Sequence, residues 1–419
     1  MNHPRTLFRA AVIADGDSVV ASPGAVLTEP GRILAAGTPQ TIGMPGDCHV
    51  VDLPESAVIP ALVNSHCHLD LSHIGPVPFS GDFSAWIDRL RQLRAITDAA
   101  IDAATARGVE MSRAGGTAIV GDIAGVSSLQ PLRTMRRCGL AGVSYFEVFG
   151  VGRRQGQALA AMQAAVKDVE HCESGVVLGL QPHAPYSCGT EVYRAAADLG
   201  RPLATHLAET LDEIEFIQFA SGPLEQMLKR LGMWDDSIKP QRRHPIEHVT
   251  PLLANVPFVA AHLNYVDDIQ LGLLAALKVT AAYCPRASAY FGHPHPGHCE
   301  HRYREMLERG INVALGTDSV LCLDTADRLS VLDEMRLLYR RDGTPPRLLL
   351  RMATINGAAA LGFDPNLVTL KPGPIAGLLA IPLCSTGSGG DACARMLLTD
   401  EPPQWLLGPY PGQNSWRSG

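Results

Sequence analysis

Between residues 58 and 362, short apolar runs alternate with longer stretches whose apolar positions recur every three or four residues. Runs of this kind read as strands buried on both faces, and the stretches between them as helices packed against those strands. The runs end near Ser65, Asp122, Phe149, Gln181, Thr205, Ala261, Tyr283 and Gly316. The helical stretches fall at 82–112, 155–172, 191–199, 211–231, 267–276 and 303–309, with a further one at 348–362. This succession of strand-then-helix units predicts an α/β chain folded as a (β/α)8 barrel of the TIM type. A doubly wound open sheet is the rival. Against it, His, Glu and Asp residues stand at the ends of the first, fifth, sixth and eighth runs, and only a closed barrel brings those ends together.

Residues 1–57 carry a different pattern, of short runs at 10–14, 18–21, 25–28 and 32–35 broken by Gly, Pro and Asp. These read as hairpin strands. Similar runs return at 368–371 and 375–381. The expected organisation is a small β-sandwich domain built from 1–57 plus 363–419, around a barrel domain of 58–362. The tail from about residue 385, rich in Gly, Ser and Pro, is expected to be irregular.

The chain has 419 residues, 46% hydrophobic and 18% charged, which suits a thick buried core. A formal net charge of −7, with no basic cluster, argues against nucleic acid or an anionic membrane as partner. No uncharged apolar stretch reaches the ~20 residues of a membrane span, and the N-terminus makes a poor signal peptide. The ten cysteines are scattered without a Cys-x-x-Cys pair, as expected of reduced thiols in a cytoplasmic protein. Assembly state is left open, a homodimer being the commonest arrangement.

The candidate chemistry begins at His66-Cys67-His68, where the first apolar run ends. Side chains alternate along a strand, so His66 and His68 point the same way and can grip one metal ion, while Cys67 faces the barrel wall. His206 and Glu209 follow the fifth run, His262 ends the sixth, and Asp318 follows the eighth. Neutral imidazoles with one carboxylate, leaving a position for water, describe a catalytic zinc-type site. Glu209 can then shuttle a proton, and His262 orient or deprotonate the water. Each residue also has a plainer reading. Gly-Thr-Asp318-Ser is a good turn and N-cap sequence, and His262 fits a satisfied core histidine.

Taken together, Asn64-Ser-His66-Cys-His68, His183-Ala-Pro-Tyr186, Thr205-His206-Leu-Ala-Glu209-Thr210, Ala261-His262, Cys284-Pro285, Gly316-Thr-Asp318-Ser319 and Ala353-Thr-Ile-Asn-Gly-Ala358 resemble the amidohydrolase superfamily. Within it they resemble the deaminase and chlorohydrolase branch that includes guanine deaminase and adenosine-derivative deaminases, aminodeoxyfutalosine deaminase among them. The resemblance implies that His66, His68, His206 and Asp318 hold one divalent metal, commonly Zn2+, with Fe2+ or Mn2+ as alternatives. It implies that hydroxide formed there attacks a ring carbon bearing an exocyclic amine, with Glu209, His262 and Asp318 as catalytic residues and ammonia as the leaving product. Two-metal branches use a lysine at the end of the fourth strand. Here no lysine lies between Lys167 and Lys229, which implies one metal. The turn Lys371-Pro-Gly-Pro374 lacks the acidic residue usual in relatives, a departure outside the site.

For the substrate, a small heterocycle, the expected contacts are His183, Arg286, Trp86, Glu147, Arg153 and Arg154. The three arginines would suit an acidic substituent on an adenosine-like or aminodeoxyfutalosine-type compound. Guanine, pterin or triazine deamination and chloride removal by the same attack stay open, as does a catalytically silent barrel used for binding or assembly. The run His293-Pro-His295-Pro-Gly-His298-Cys-Glu300-His301 reads as a connecting or substrate-facing loop. The Pro-Cys-x-x-Cys partner of cytidine-type deaminases, a dinucleotide fingerprint and a Gly-x-Ser-x-Gly elbow are all missing.

Overall fold

The computed structural model describes residues 5–125, 127–169, 175–385 and 392–408. The chain opens with β1 (Arg5–Ala14), β2 (Val20–Ala21), β3 (Gly24–Glu29), β4 (Arg32–Gly37) and the long β5 (Cys48–Pro60). After Ala61 it enters β6 (Leu62–Cys67), the first of eight parallel strands paired in sequence order. The others are β7 (Thr117–Ala124), β8 (Ala141–Val148), β9 (Val176–Pro182), β10 (Leu203–Leu207), β11 (Phe258–His262), β12 (Val279–Tyr283) and β13 (Asn312–Leu315). Every residue of β7 and β8 is buried. Parallel strands covered by helices need apolar side chains on both faces, which is why these segments read as unbroken apolar runs.

The barrel closes between β13 and β6 through a seam rather than a full ladder. The backbone N–H groups of Thr317 and Asp318 both donate to the His66 carbonyl, at 3.0 and 3.1 Å. The Ser65 hydroxyl donates to the Leu315 carbonyl at 2.7 Å, and Asn64 Nδ2 donates to Thr317 Oγ1 at 2.8 Å. Gly316 is required here, since a Cβ would lie 2.8 Å from His66 Cβ. The seam fixes Asp318 beside His66 and His68.

A second sheet has the order β14-β4-β3-β1-β5-β15-β16, with β2 on β1. Here β14 is Gly373–Pro374, β15 Leu378–Pro382 and β16 Gln404–Leu407. Both ends of the chain thus contribute strands to it. Phe8, Ile13, Val26 and Val58 pack on one face and Leu7, Ala25 and Leu27 on the other. The expected irregular tail is corrected in part: β16 pairs with β15, and Trp405 Nε1 donates to the Arg113 carbonyl at 2.8 Å. Pro402 and Pro403, just before it, mask this strand in the sequence. A short helix, Ala392–Arg395, also lies in this tail, whose segments 386–391 and 409–419 lie outside the described residues.

Three expected helices are interrupted. The stretch 82–112 forms Phe83–Leu93 and Asp98–Ala114, because Arg94 takes an extended conformation and Thr97 caps the second helix. The stretch 211–231 breaks at Ala220 and Gly222, both at positive φ. The stretch 348–362 divides into Pro346–Ala353 and Ile355–Ala360. The expected helix at 155–172 runs as Gln155–Asp168, its last residues lying outside the described ones. Helices Phe83–Leu93 and Pro223–Arg230 meet over the barrel mouth, where Arg230 binds Asp88 at 2.5 Å and Ser84 at 3.0 Å. Among the described residues, no helix is long and apolar enough to cross a membrane.

Candidate active site

Four imidazoles converge at the C-terminal mouth of the barrel. His66 leaves the end of β6, His68 follows it, and His206 and His262 stand at the ends of β10 and β11. The His66 ring centroid lies 5.3, 5.0 and 5.5 Å from those of His68, His206 and His262. The β10–β11 register pairs His206 with Ala261 and Leu207 with His262, which sets the two rings side by side at 5.3 Å. Burial holds His66, His68 and His262 well below the usual imidazole range and brings His206 to about 4, so all four are neutral near pH 7 with lone pairs free to coordinate.

Both ring nitrogens of His66 and Nδ1 of His68 are buried without a hydrogen-bond partner. Buried polar atoms without partners are rare and call for an explanation. Ligand atoms of His66, His68 and Asp318 lie within 4.8 Å of one another, as do those of His66, His206 and His262. A divalent ion fits this donor set, since it would give one of the two orphaned His66 nitrogens a partner. His206 Nδ1 lies 3.0 Å from the His183 carbonyl, to which it donates, leaving Nε2 unprotonated for the ion.

A proton-handling group adjoins the cluster. Glu209, His262 and Asp318 also bring ligand atoms within 4.8 Å of one another, with His262 Nε2 at 3.6 Å from Glu209 Oε1. Burial, with Asp318 and Glu213 adding to it, raises the Glu209 carboxyl well above the ordinary range. Burial likewise pushes Asp318 up to about 7. The backbone around Glu209 is pinned. Glu213 accepts from the N–H groups of Ala208 and Glu209 at 3.0 and 2.9 Å, and Asn264 Nδ2 donates to the Glu209 carbonyl at 3.1 Å. Ala208, His262, Leu263 and Asp318 all hold positive φ, a strained backbone concentrated at the strand ends that carry the chemistry.

A cavity of about 520 Å³ opens above these groups. Among the expected substrate contacts, Trp86, Glu147 and His183 line it, and His183 Nδ1 hydrogen-bonds Ser187 Oγ at 2.7 Å. The three arginines do not. Arg286 Nε donates to buried Glu334 at 2.6 Å and its Nη1 to exposed Asp324 at 3.0 Å, with Asp333 at 3.9 Å, so its charge is spent on carboxylates outside the cavity. The short turn Gly152–Arg154 faces outward, where the Arg153 backbone N–H binds Asp235 and Arg154 binds the Gly232 carbonyl. The histidine-rich loop forms no metal cluster among the described residues. Instead His301 Nε2 contacts the His262 carbonyl at 2.7 Å, and Tyr265 OH contacts His293 Nδ1 at 2.8 Å.

Sequence reasoning missed Arg94, which lines the cavity, and the supports Gln181, Glu213 and Asn264. Glu213 had a visible signal: Thr210-x-x-Glu213 opens the helix Leu211–Phe219, whose N-cap is Thr210. Arg94 had none, since a helix had been expected to run through it.

The family model described as amidohydrolase matches residues 57–398. A 5-methylthioadenosine/S-adenosylhomocysteine deaminase of Pyrococcus furiosus is 27% identical over 401 residues, covering 90% of this chain and 86% of the relative. An aminodeoxyfutalosine deaminase of Deinococcus radiodurans is 27% identical over 382 residues, 85% of each chain. Among solved structures, the Helicobacter pylori aminofutalosine deaminase in complex with methylthio-coformycin superposes with a TM-score of 0.76 at 19% identity, covering 98% of this chain and 100% of that one. That last likeness speaks to the fold.

Proposed function

The chain belongs to the amidohydrolase family, and from that premise we propose a metal-dependent aminohydrolase that removes the exocyclic amino group of an adenosine-like heterocycle. The observation that carries this reading is the meeting of Glu209, His262 and Asp318 beside the imidazole cluster. The relatives named as deaminases of adenosine derivatives support the substrate class. The barrel of residues 58–362 is the catalytic unit in this reading. Cys48, Cys67, Cys138, Cys188, Cys284, Cys299 and Cys322 are free thiols, which supports a cytoplasmic setting.

His66, His68, His206 and Asp318 would hold one divalent ion; zinc suits three imidazoles and a carboxylate, and iron(II) or manganese(II) share those donors. Such an ion, when bound, lowers the pKa of a coordinated water toward ~7 and supplies the nucleophile. The protein's own groups do the rest. His262 Nε2 orients the oxygen arriving at the ring carbon. Glu209 carries the proton to the adjacent ring nitrogen, and its raised pKa keeps that proton available near neutrality. Trp86, fixed by its Nε1–H to Tyr290 OH at 3.1 Å, gives the heterocycle an apolar face in the cavity wall. The remaining proton of the incoming oxygen passes by way of Asp318 and His262 to the exocyclic nitrogen, which leaves as ammonia while the oxygen becomes the carbonyl and the ring recovers its planarity.

Glu209→Gln tests the assignment. It keeps the side-chain volume and removes the titratable proton, so ammonia release falls by about 10²–10⁴-fold while the metal content stays unchanged. Activity at the unsubstituted level would remove Glu209 from the mechanism.

A further inference from the structure

The run from His293 to His301 joins the helix Pro285–Phe291 to the helix Tyr303–Glu308, and its last residue is the one the fold buries, at 8% exposure. The surroundings fix the state of the His301 ring. Its Nδ1 accepts the backbone N–H of Tyr303 at 3.2 Å, so in the neutral imidazole the proton sits on Nε2. Burial brings His301 to about 4, which keeps the ring neutral near pH 7. Nε2–H then donates to the His262 carbonyl at 2.7 Å. Both nitrogens are engaged by backbone, which leaves none for an ion or a substrate. The ring is also clamped. It stacks on Tyr283 with centroids 3.6 Å apart and planes 17° apart, and Arg341 Nη2 holds the Tyr283 hydroxyl at 3.0 Å.

The carbonyl that receives this bond is left over where the barrel ends. The β11–β12 ladder stops at Ala261 opposite Ala282, one residue short of His262. The chain then turns through positive φ, 75° at His262 and 53° at Leu263. A histidine stays in that region only where its surroundings hold it, and a buried carbonyl beyond the ladder needs a donor. His301 meets both needs. From the same residue, His262 Nε2 reaches to 3.6 Å from Glu209 Oε1. The backbone at His262 decides where its Cβ points, so the bond to the carbonyl and the aim of the ring are coupled.

We propose that His301 is a positioning residue of the active site: its Nε2–H holds the strained backbone of His262 and so aims the His262 ring at the reacting oxygen and Glu209. The inference rests on the aminohydrolase reading and adds to it a residue that touches neither substrate nor ion. It also gives the histidine-rich run a role through its buried end, with His295 and His298 exposed outside it.

The test compares metal-loaded His301→Phe and His301→Gln. Phenylalanine keeps a ring against Tyr283 and removes the donor, whereas glutamine presents an amide N–H in place of Nε2. In His301→Phe, kcat is expected to fall by about 10–100-fold, the scale of a misplaced catalytic group, with KM and bound metal within about twofold. His301→Gln should keep kcat within about threefold of the unsubstituted protein. In a His262→Gln background, His301→Phe should change kcat by less than about twofold, because the residue it positions is gone. Imidazole nitrogen resonances, read by NMR on labelled protein, need no turnover. They should show His301 protonated on Nε2, and the His262 nitrogens should shift in His301→Phe but not in His301→Gln. A proton on Nδ1 of His301, unmoved His262 resonances or unchanged kcat in His301→Phe, or the same loss repeated in the His262→Gln background would overturn the positioning. Should His301→Phe not fold, His301→Asn, whose shorter amide stops short of the carbonyl, takes its place. No ammonia from the unsubstituted, metal-loaded protein would overturn the deaminase reading, and the nitrogen resonances would still decide the positioning.

Discussion

Replacing Arg286 by methionine separates a structural arginine from a substrate-binding one. Arg286 is 8% exposed and Glu334 is 0% exposed. Glu334 accepts both the Arg286 backbone N–H at 2.8 Å and its Nε–H at 2.6 Å. Methionine fills much of the volume but leaves Glu334 without its counter-charge. Breaking a buried pair from one side costs about 3–5 kcal/mol. At about 2 °C per kcal/mol for a domain of this size, the melting midpoint falls by about 6–10 °C. The loss also depends on pH. Burial already places Glu334 at about 7 with Arg286 present, above its unfolded value, and removing the cation raises it further. A raised carboxyl favours the fold below the unfolded pKa and loses that contribution as pH rises through the folded one. The variant is therefore closest to the unsubstituted protein near pH 5 and furthest from it near pH 8. Adding Glu334→Gln should recover at least about 2 kcal/mol, because no buried charge is then left alone. Scanning calorimetry across pH, with kcat and KM per folded molecule, checks this. An unchanged midpoint with a raised KM would refute the reasoning and return Arg286 to the substrate.

Other perturbations probe the site itself. Asn264→Ala removes the amide that accepts from Ser288 Oγ at 2.8 Å and donates to the Glu209 carbonyl, so stability falls by about 1–3 kcal/mol in denaturant titration and kcat falls with KM little changed. Chelation abolishes ammonia release. Resupplied zinc at 100 times its Kd restores it and stabilises the fold by about 2.7 kcal/mol in thermal melts. Gly125→Ala drives a methyl into the Arg94 guanidinium and should cost about 1–3 kcal/mol of stability, read as a lower melting midpoint in scanning calorimetry.

The strands and the histidines at their ends were legible because a parallel barrel imposes one rule on both: apolar residues throughout, with chemistry admitted only where a strand ends. His66, His68, His206, His262 and Asp318 obey that rule and meet. Side-chain direction was not legible beyond the strand ends. Arg286 also follows a strand end, yet Pro285 begins a helix there, and the guanidinium turns toward Glu334 on the helix Val331–Asp342. Arg153 and Arg154 sit on the expected loop but face outward. Arg94 was hidden by the opposite error. Periodicity ran one helix through 82–112, and the extended residue that aims a guanidinium into the cavity breaks no hydrophobic pattern.

The central claim is tested most directly by measuring bound metal and ammonia release together, on the same preparation, against aminopurine nucleosides, aminopterins and aminotriazines. The account predicts one divalent ion per chain and ammonia from the adenosine-type nucleosides. A chain that takes up no metal after reconstitution, or a metal-loaded chain that releases chloride from chlorinated analogues and no ammonia from any amine, would contradict it.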